Sequence, residues 1–339
     1  MKTKNLFILM LLSWMLVIGC SKEEPLAPET ENGVGWRAIN SGLPEQTTVQ
    51  TIASNRNGSV LYAGTFDGVY RSENSGASWS RKSNGLDARD ISCLAMAPQN
   101  SLIAVAGSWG KGLYKTTDGG ETWQSVWSGD KSPHINAVQY SSDGSTLWVA
   151  TQHGLFRSAD GGQTWVHAFK YGKIRTVAVH PINANIIYLG IRWHGNFRSS
   201  DGGESWQEIN TGVYTTGQEY AAANAFIFDP RNPNRMVMST GWVDLYESQN
   251  GGESWKRVAD VLYEKSVLAL GIAEIAPQQI WAITEDDGVF ASQDGSSKWL
   301  VENTGIEDFK VKALRVAPTS GDVFVGTLGK GIFKYVVAE

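Results

Sequence analysis

One octapeptide recurs six times at a nearly constant interval, and this repeat restricts the chain to very few architectures. The clearest copies are Thr-Thr-Asp-Gly-Gly-Glu-Thr-Trp at 116–123, Ser-Ala-Asp-Gly-Gly-Gln-Thr-Trp at 158–165 and Ser-Ser-Asp-Gly-Gly-Glu-Ser-Trp at 199–206, which place Asp118 with Trp123, Asp160 with Trp165 and Asp201 with Trp206. In looser copies Asn74 precedes Trp79 and Asn250 precedes Trp255, while the last keeps Asp294 but loses the second glycine before Trp299. Successive tryptophans from Trp79 to Trp299 stand 44, 42, 41, 49 and 44 residues apart, and Trp36 lies 43 before the first.

Each period holds four short strand-like runs separated by Gly, Asp, Asn or Ser, as in 135–140, 147–151, 154–157 and 165–169. No stretch carries a sustained 3.6-residue period. A four-stranded antiparallel unit of this size cannot bury both faces alone, so neighbouring units must stack around an axis. The expected fold is all-β: a seven-bladed β-propeller of four-stranded antiparallel blades. Six octapeptides suggest six blades, but after Trp299 the chain supplies three more strands, 311–317, 322–327 and 331–337, and no fourth. The segment 36–40 provides it, so the N-terminal strand completes the last blade and closes the ring.

The octapeptide resembles the Asp box, or BNR repeat, of sialidases and related propellers, a likeness that spans 33–339. Its residues explain a structural job. The aspartate accepts hydrogen bonds from N–H groups of its own turn, the glycines supply positive φ, the flanking Ser or Thr tie the hairpin, and the tryptophan buries its ring between sheets. One carboxylate per tight turn, twice replaced by Asn, is a poor cation site. No metal or other cofactor is expected. The run Gly-Leu-Tyr-Lys-Thr-Thr-Asp-Gly-Gly-Glu-Thr-Trp-Gln at 112–124 is also similar to photosystem II assembly factors and sortilin-type domains, whose propellers bind proteins or peptides.

Residues 6–18 form the one long apolar run, behind Lys2 and Lys4, and are too short to span a bilayer as a helix. They read as a signal peptide over 1–19. The run ends in Val-Ile-Gly-Cys, which resembles a bacterial lipobox and implies lipidation of Cys20, a tether over 20–32 rich in Glu and Pro, and an outer-membrane protein facing the periplasm or the surface. With Cys20 acylated, Cys93 has no partner and is expected to be a buried small residue. The 29 basic and 34 acidic residues give a net charge of −5 with no basic cluster, so nucleic acid is not an expected partner.

In such propellers the second-to-third-strand loops share a face with the loops that link blades. Loops of the first kind hold Phe66, Asp67, Trp109, Lys111, His153, Glu285, Asp286, Asp287 and Lys330, and those of the second Asp87, Arg89, Asp90, Asp130, His134, Tyr171, Lys173, Tyr263, Glu264, Asp308 and Phe309. The longest interval enlarges the loop 210–220, whose Tyr214, Glu219 and Tyr220 adjoin Arg192, Trp193, His194, Trp242 and Asp244. Trp109, Arg192, Trp193, His194, Tyr214, Tyr220, Trp242 and Asp244 are the expected ligand-binding set, suited to a sugar ring or a protein hot spot. The expected function is therefore a non-catalytic module, a monomeric propeller that binds a protein or polysaccharide and touches the membrane only through its lipid. A glycoside hydrolase is the alternative, with Asp244 paired to Asp286 or Glu219 as acid and base. The sialidase form lacks the family's Arg-Ile-Pro motif, and the xyloglucan-cleaving form pairs two such propellers where this chain has one. His180, before Pro181 at a strand end, is expected to be structural.

Overall fold

The computed structural model describes residues 33–127, 134–216, 219–241, 244–258, 262 and 265–337. The signal peptide, Cys20 and the tether lie outside them. Seven antiparallel sheets of four strands each are arranged as blades, with one extra hairpin, Thr215–Thr216 paired to Glu219–Tyr220, in the link from the fourth blade to the fifth. The innermost strands are Val49–Ser54, Ile91–Ala97, Ile135–Tyr140, Ile174–Val179, Ala223–Phe228, Val267–Ile272 and Val311–Val316. They define blades one to seven in that order.

The seventh blade takes its outer strand from the other end of the chain. Gly35–Ala38 pairs antiparallel with Ile332–Val336, placing Trp36 opposite Tyr335 and Ala38 opposite Phe333. Trp36 is 3% exposed, stands edge-on to Trp281 and Tyr335, and donates its indole N–H to the Glu302 carbonyl at 2.6 Å. That last bond reaches the outer edge of blade six.

The octapeptide tryptophans repeat the same reach. Trp79, Trp123, Trp165, Trp206 and Trp255 each donate an indole N–H to a carbonyl on the preceding blade, at Ile39, Lys82, Val126, Ala168 and Ile209. Trp36 thus does for the closing blade what these five do elsewhere, without an octapeptide in front of it. Trp165 and Trp206 are only half-buried, with their rings packed against Trp127 and Phe169. Trp299 differs too: its N–H turns back to Ser296 of its own hairpin.

Within the hairpin Asp118 accepts from the Thr122 N–H at 3.0 Å and from the hydroxyls of Thr122 and Thr116 at 2.6 and 2.7 Å, and Gly119 and Gly120 take φ of 79° and 88°. Asn74 and Asn250 keep the frame with the amide oxygen, and their N–H donates to Ser78 and Ser254. Two copies retain the positive φ without the glycine, Ser75 at 57° and Ser296 at 113°.

A second repeat joins the blades. Asn40-Ser-Gly-Leu, Ser83-Asn-Gly-Leu, Asn210-Thr-Gly-Val and Asn303-Thr-Gly-Ile follow the outer strands of blades seven, one, four and six. The first side chain accepts a backbone N–H of its own blade, as Asn210 does from Asn196 at 2.8 Å and Asn303 from Val289 at 2.8 Å. The glycine is forced by proximity: a Cβ on Gly212 would lie 2.0 Å from the Trp255 carbonyl oxygen, and one on Gly305 2.5 Å from that of Trp36. Cys93 is buried and its thiol is pushed up to about 12 by desolvation. The ring nitrogen Nδ1 of His180 accepts from the Ile182 and Asn183 N–H groups, closing the turn after its strand.

Two predictions follow from these hairpins. Ser296 combines a backbone region that disfavours a side chain with a buried hydroxyl that lacks a partner. Ser296→Gly should therefore raise unfolding stability by about 1 kcal/mol in denaturant titration; a loss would contradict the assignment of strain. Hydrogen bonds led by that of the Thr122 hydroxyl hold the Asp118 carboxyl down at about 2, and Asp160 and Asp201 are lowered in the same way by Thr164 and Ser205. A depressed folded-state value stabilises above the unfolded pKa near 4 and is lost as pH falls towards 2. The melting temperature should thus fall less steeply between pH 4 and 2 in Asp118→Asn/Asp160→Asn/Asp201→Asn than in the wild type, and parallel slopes would refute the linkage.

Candidate binding face around the channel mouth

The seven inner strands share an irregularity that shapes the channel. In each, the pairing register shifts between the first and third residues, so the second residue is a bulge. Those second residues are Gln50, Ser92, Asn136, Arg175, Asn224, Leu268 and Lys312. Three of them donate to the first residue of the next inner strand: Ser92 to the Ile135 carbonyl at 2.8 Å, Asn136 to that of Ile174 at 2.7 Å and Asn224 to that of Val267 at 3.0 Å. Arg175 donates to the Asn224 side-chain oxygen at 2.7 Å, and Gln50 donates to Asp90. This partial belt of polar groups makes one end of the channel polar.

Above the belt opens a cavity of about 640 Å³, lined by Phe66, Asp90, Trp109, Lys173, Arg175 and Glu285 among others. Burial raises the Asp90 carboxyl, partly opposed by the Gln50 hydrogen bond. Burial also lowers Arg175, and the nearby charge of Arg192 adds to this. Lys173, Arg175 and Arg192 form no ion pair among the described residues, so one side of the mouth is cationic.

The sector beside it is built from aromatic groups. The Arg192 guanidinium lies over the Trp193 ring at 4.2 Å, and Trp193 is 55% exposed with φ of 68°. Left-handed backbone is unusual for so bulky a residue and is a mark of functional positions. His194 stands edge-on to Tyr171 at 4.9 Å, its Nδ1 meets the Arg192 carbonyl at 2.9 Å, and it bridges to Tyr220 on the extra hairpin. Tyr214 is exposed, and its backbone N–H donates to the Tyr246 hydroxyl. Trp109, 60% exposed, lies on the cavity wall edge-on to His134.

Arg192, Trp193, His194 and Tyr220 therefore come together, Tyr214 flanks the same hairpin, Trp109 lines the cavity mouth, and Trp242 lies outside the described residues. Asp244 departs from its expected place. Its side chain is 3% exposed and pairs with Arg257 at 2.8 Å, and its backbone carbonyl and N–H are both hydrogen-bonded to the Thr240 hydroxyl, so its carboxylate is turned to Arg257 rather than to open solvent. Asp286 is exposed, pairs with Lys310 at 3.1 Å and lines a separate cleft of about 430 Å³, and Glu219 is exposed on the extra hairpin. The carboxylates that line the mouth are Asp90 and Glu285. Reading sequence alone missed Arg175 and the polar bulges; the signal is a polar residue after the first apolar one of each inner strand.

Among curated proteins, none matches the chain. Solved structures share the fold at low identity. YCF48 bound to D1 peptide is 16% identical with a TM-score of 0.68, over 89% of this chain and 97% of that one. YCF48 from Cyanidioschyzon merolae is 14% identical with a TM-score of 0.68, over 89% and 98%. The GH74 xyloglucanase from Xanthomonas campestris is 16% identical with a TM-score of 0.67, over 89% of this chain but 53% of the enzyme, so this chain spans about half of it. By sequence, the family described as the DUF6242 beta propeller domain matches residues 14–136.

Proposed function

We propose that the protein is a non-catalytic binding or assembly module of the bacterial cell envelope, held to the membrane by lipid on Cys20, and that the channel-mouth face engages a protein or glycan ligand. One observation carries the reading: every exposed aromatic side chain among the described residues, Phe66, Trp109, Tyr171, Trp193 and Tyr214, lies on the loops of that face. Aromatic groups left in water on one rim of a rigid ring, next to unpaired cations, are the usual makings of an interface hot spot. YCF48, a neighbour in fold, is solved with a peptide bound, which supports a protein ligand.

The test is to screen the purified protein against glycan and peptide arrays and to repeat any hit with Trp109→Ala and Trp193→Gly. Each substitution should weaken binding roughly tenfold or more. Trp193→Gly should leave stability within about 1 kcal/mol, because glycine accepts the backbone that tryptophan strains. Unchanged binding in both would contradict the assignment, and polysaccharide turnover abolished by Asp90→Asn or Glu285→Gln would replace a binder with an enzyme. Cys20→Ser should move the protein from the membrane to the soluble fraction; continued membrane retention would refute the anchor.

A further inference from the structure

The channel has a second end, on the face of the octapeptide hairpins, and its chemistry differs from that of the mouth. A cavity of about 610 Å³ opens there between the C-terminal halves of the inner strands. Its wall is mixed: Leu94, Met96, Val138, Phe226, Leu270 and Leu314 supply apolar surface beside polar groups such as Gln139, Ser142 and Thr176. Two cations stand on that wall, Arg56 and Arg315. Arg315, on the inner strand of blade seven, donates Nε to the Ser54 hydroxyl at 2.7 Å and Nη2 to the Ser54 carbonyl at 3.3 Å, across the seam to blade one. Nη1 has no acceptor among the described residues.

The cavity's charge does not balance. Glu274 is the one carboxylate among its described lining residues, and both of its oxygens are held by Arg56 at 2.7 and 2.8 Å. Arg315 has no anionic partner among the described residues. Desolvation lowers it to about 10, so it remains charged at neutral pH. A half-buried guanidinium with no carboxylate beside it keeps donors to spare, and an anion that reaches it gains a charge-assisted, two-pronged contact.

From this pairing of one guanidinium without a carboxylate partner with apolar side chains in the same ligand-sized cavity, we infer that the hairpin-side end of the channel is a binding site for a monocarboxylate carried on an apolar stem. The carboxylate meets Nη1 and the second hydrogen of Nη2, and the stem lies along Leu94, Leu270 and Leu314. A volume of this order suits a small ligand. The site is at the opposite end from the aromatic face and stands or falls independently of it.

Calorimetric titration of the full protein with octanoate, acetate and octylammonium at neutral pH tests the site, repeated on Arg315→Gln and on Leu270→Trp, which enlarges an apolar lining side chain on the neighbouring inner strand. Octanoate should bind the wild type at least tenfold more tightly than either acetate or octylammonium, and each substitution should weaken it at least tenfold. If Arg315→Gln does not fold, Leu270→Trp and the ligand series decide alone. Absence of octanoate binding, equal binding of acetate, or binding that survives both substitutions would overturn the inference. So would octanoate binding lost in Arg175→Gln instead, which would place it at the other end.

Discussion

The hydrogen-bonded return of Gly35–Ala38 onto Ile332–Val336 is the constraint on which the rest of the molecule depends. A blade buries one face on the blade before it and the other on the blade after, so an open row would leave two apolar faces in water and two strand edges unpaired. Trp36 concentrates that closure in one side chain, packed on Trp281 and Tyr335 and bonded to Glu302. Around the ring the same logic repeats with small variations. A tryptophan N–H spans each of five further seams, and at four junctions a glycine lets a carbonyl approach closer than any Cβ would permit.

Rigid closure gives the two ends of the channel different characters. Bulges at the second residue of the inner strands re-aim short polar side chains into a belt at one end, where hydrogen bonds to the next strand satisfy them. Past the bulge, apolar side chains such as Leu94, Leu270 and Leu314 join the channel lining, and Arg315 stands there beside the Arg56–Glu274 pair without a carboxylate of its own among the described residues. The aromatic groups on the outer loops surround the polar end alone. A strained Trp193, held under Arg192 on a tight hairpin, is the kind of local cost a scaffold this over-determined can carry.

Much of this was legible in the sequence because repeats reveal what one copy would hide. The octapeptide, the four runs per period and the three orphan strands after Trp299 led to seven blades and to the closing role of the segment at Trp36. The cluster of Arg192, Trp193, His194 and Tyr220 was legible from loop position and the long interval. Asp244 was not, because a carboxylate in a loop looks the same in sequence whether it faces solvent or is buried against Arg257, thirteen residues on. Arg175 hid inside a strand. Only the aligned starts Val-Gln-Thr, Ile-Ser-Cys, Ile-Asn-Ala, Ile-Arg-Thr and Ala-Asn-Ala show that a polar residue interrupts the apolar pattern at one fixed step. Arg315 needed three dimensions, since the absence of a counter-ion is a property of its surroundings.

Circular closure is tested most directly by comparing the unfolding of the propeller begun at residue 33 with one begun at residue 41. If the ring is as described, losing the outer strand and Trp36 destabilises the whole propeller by on the order of 3–5 kcal/mol or more, in a single transition shared by all blades. Unfolding unchanged by the deletion, or a loss confined to the seventh blade while the other six melt as before, would contradict the account.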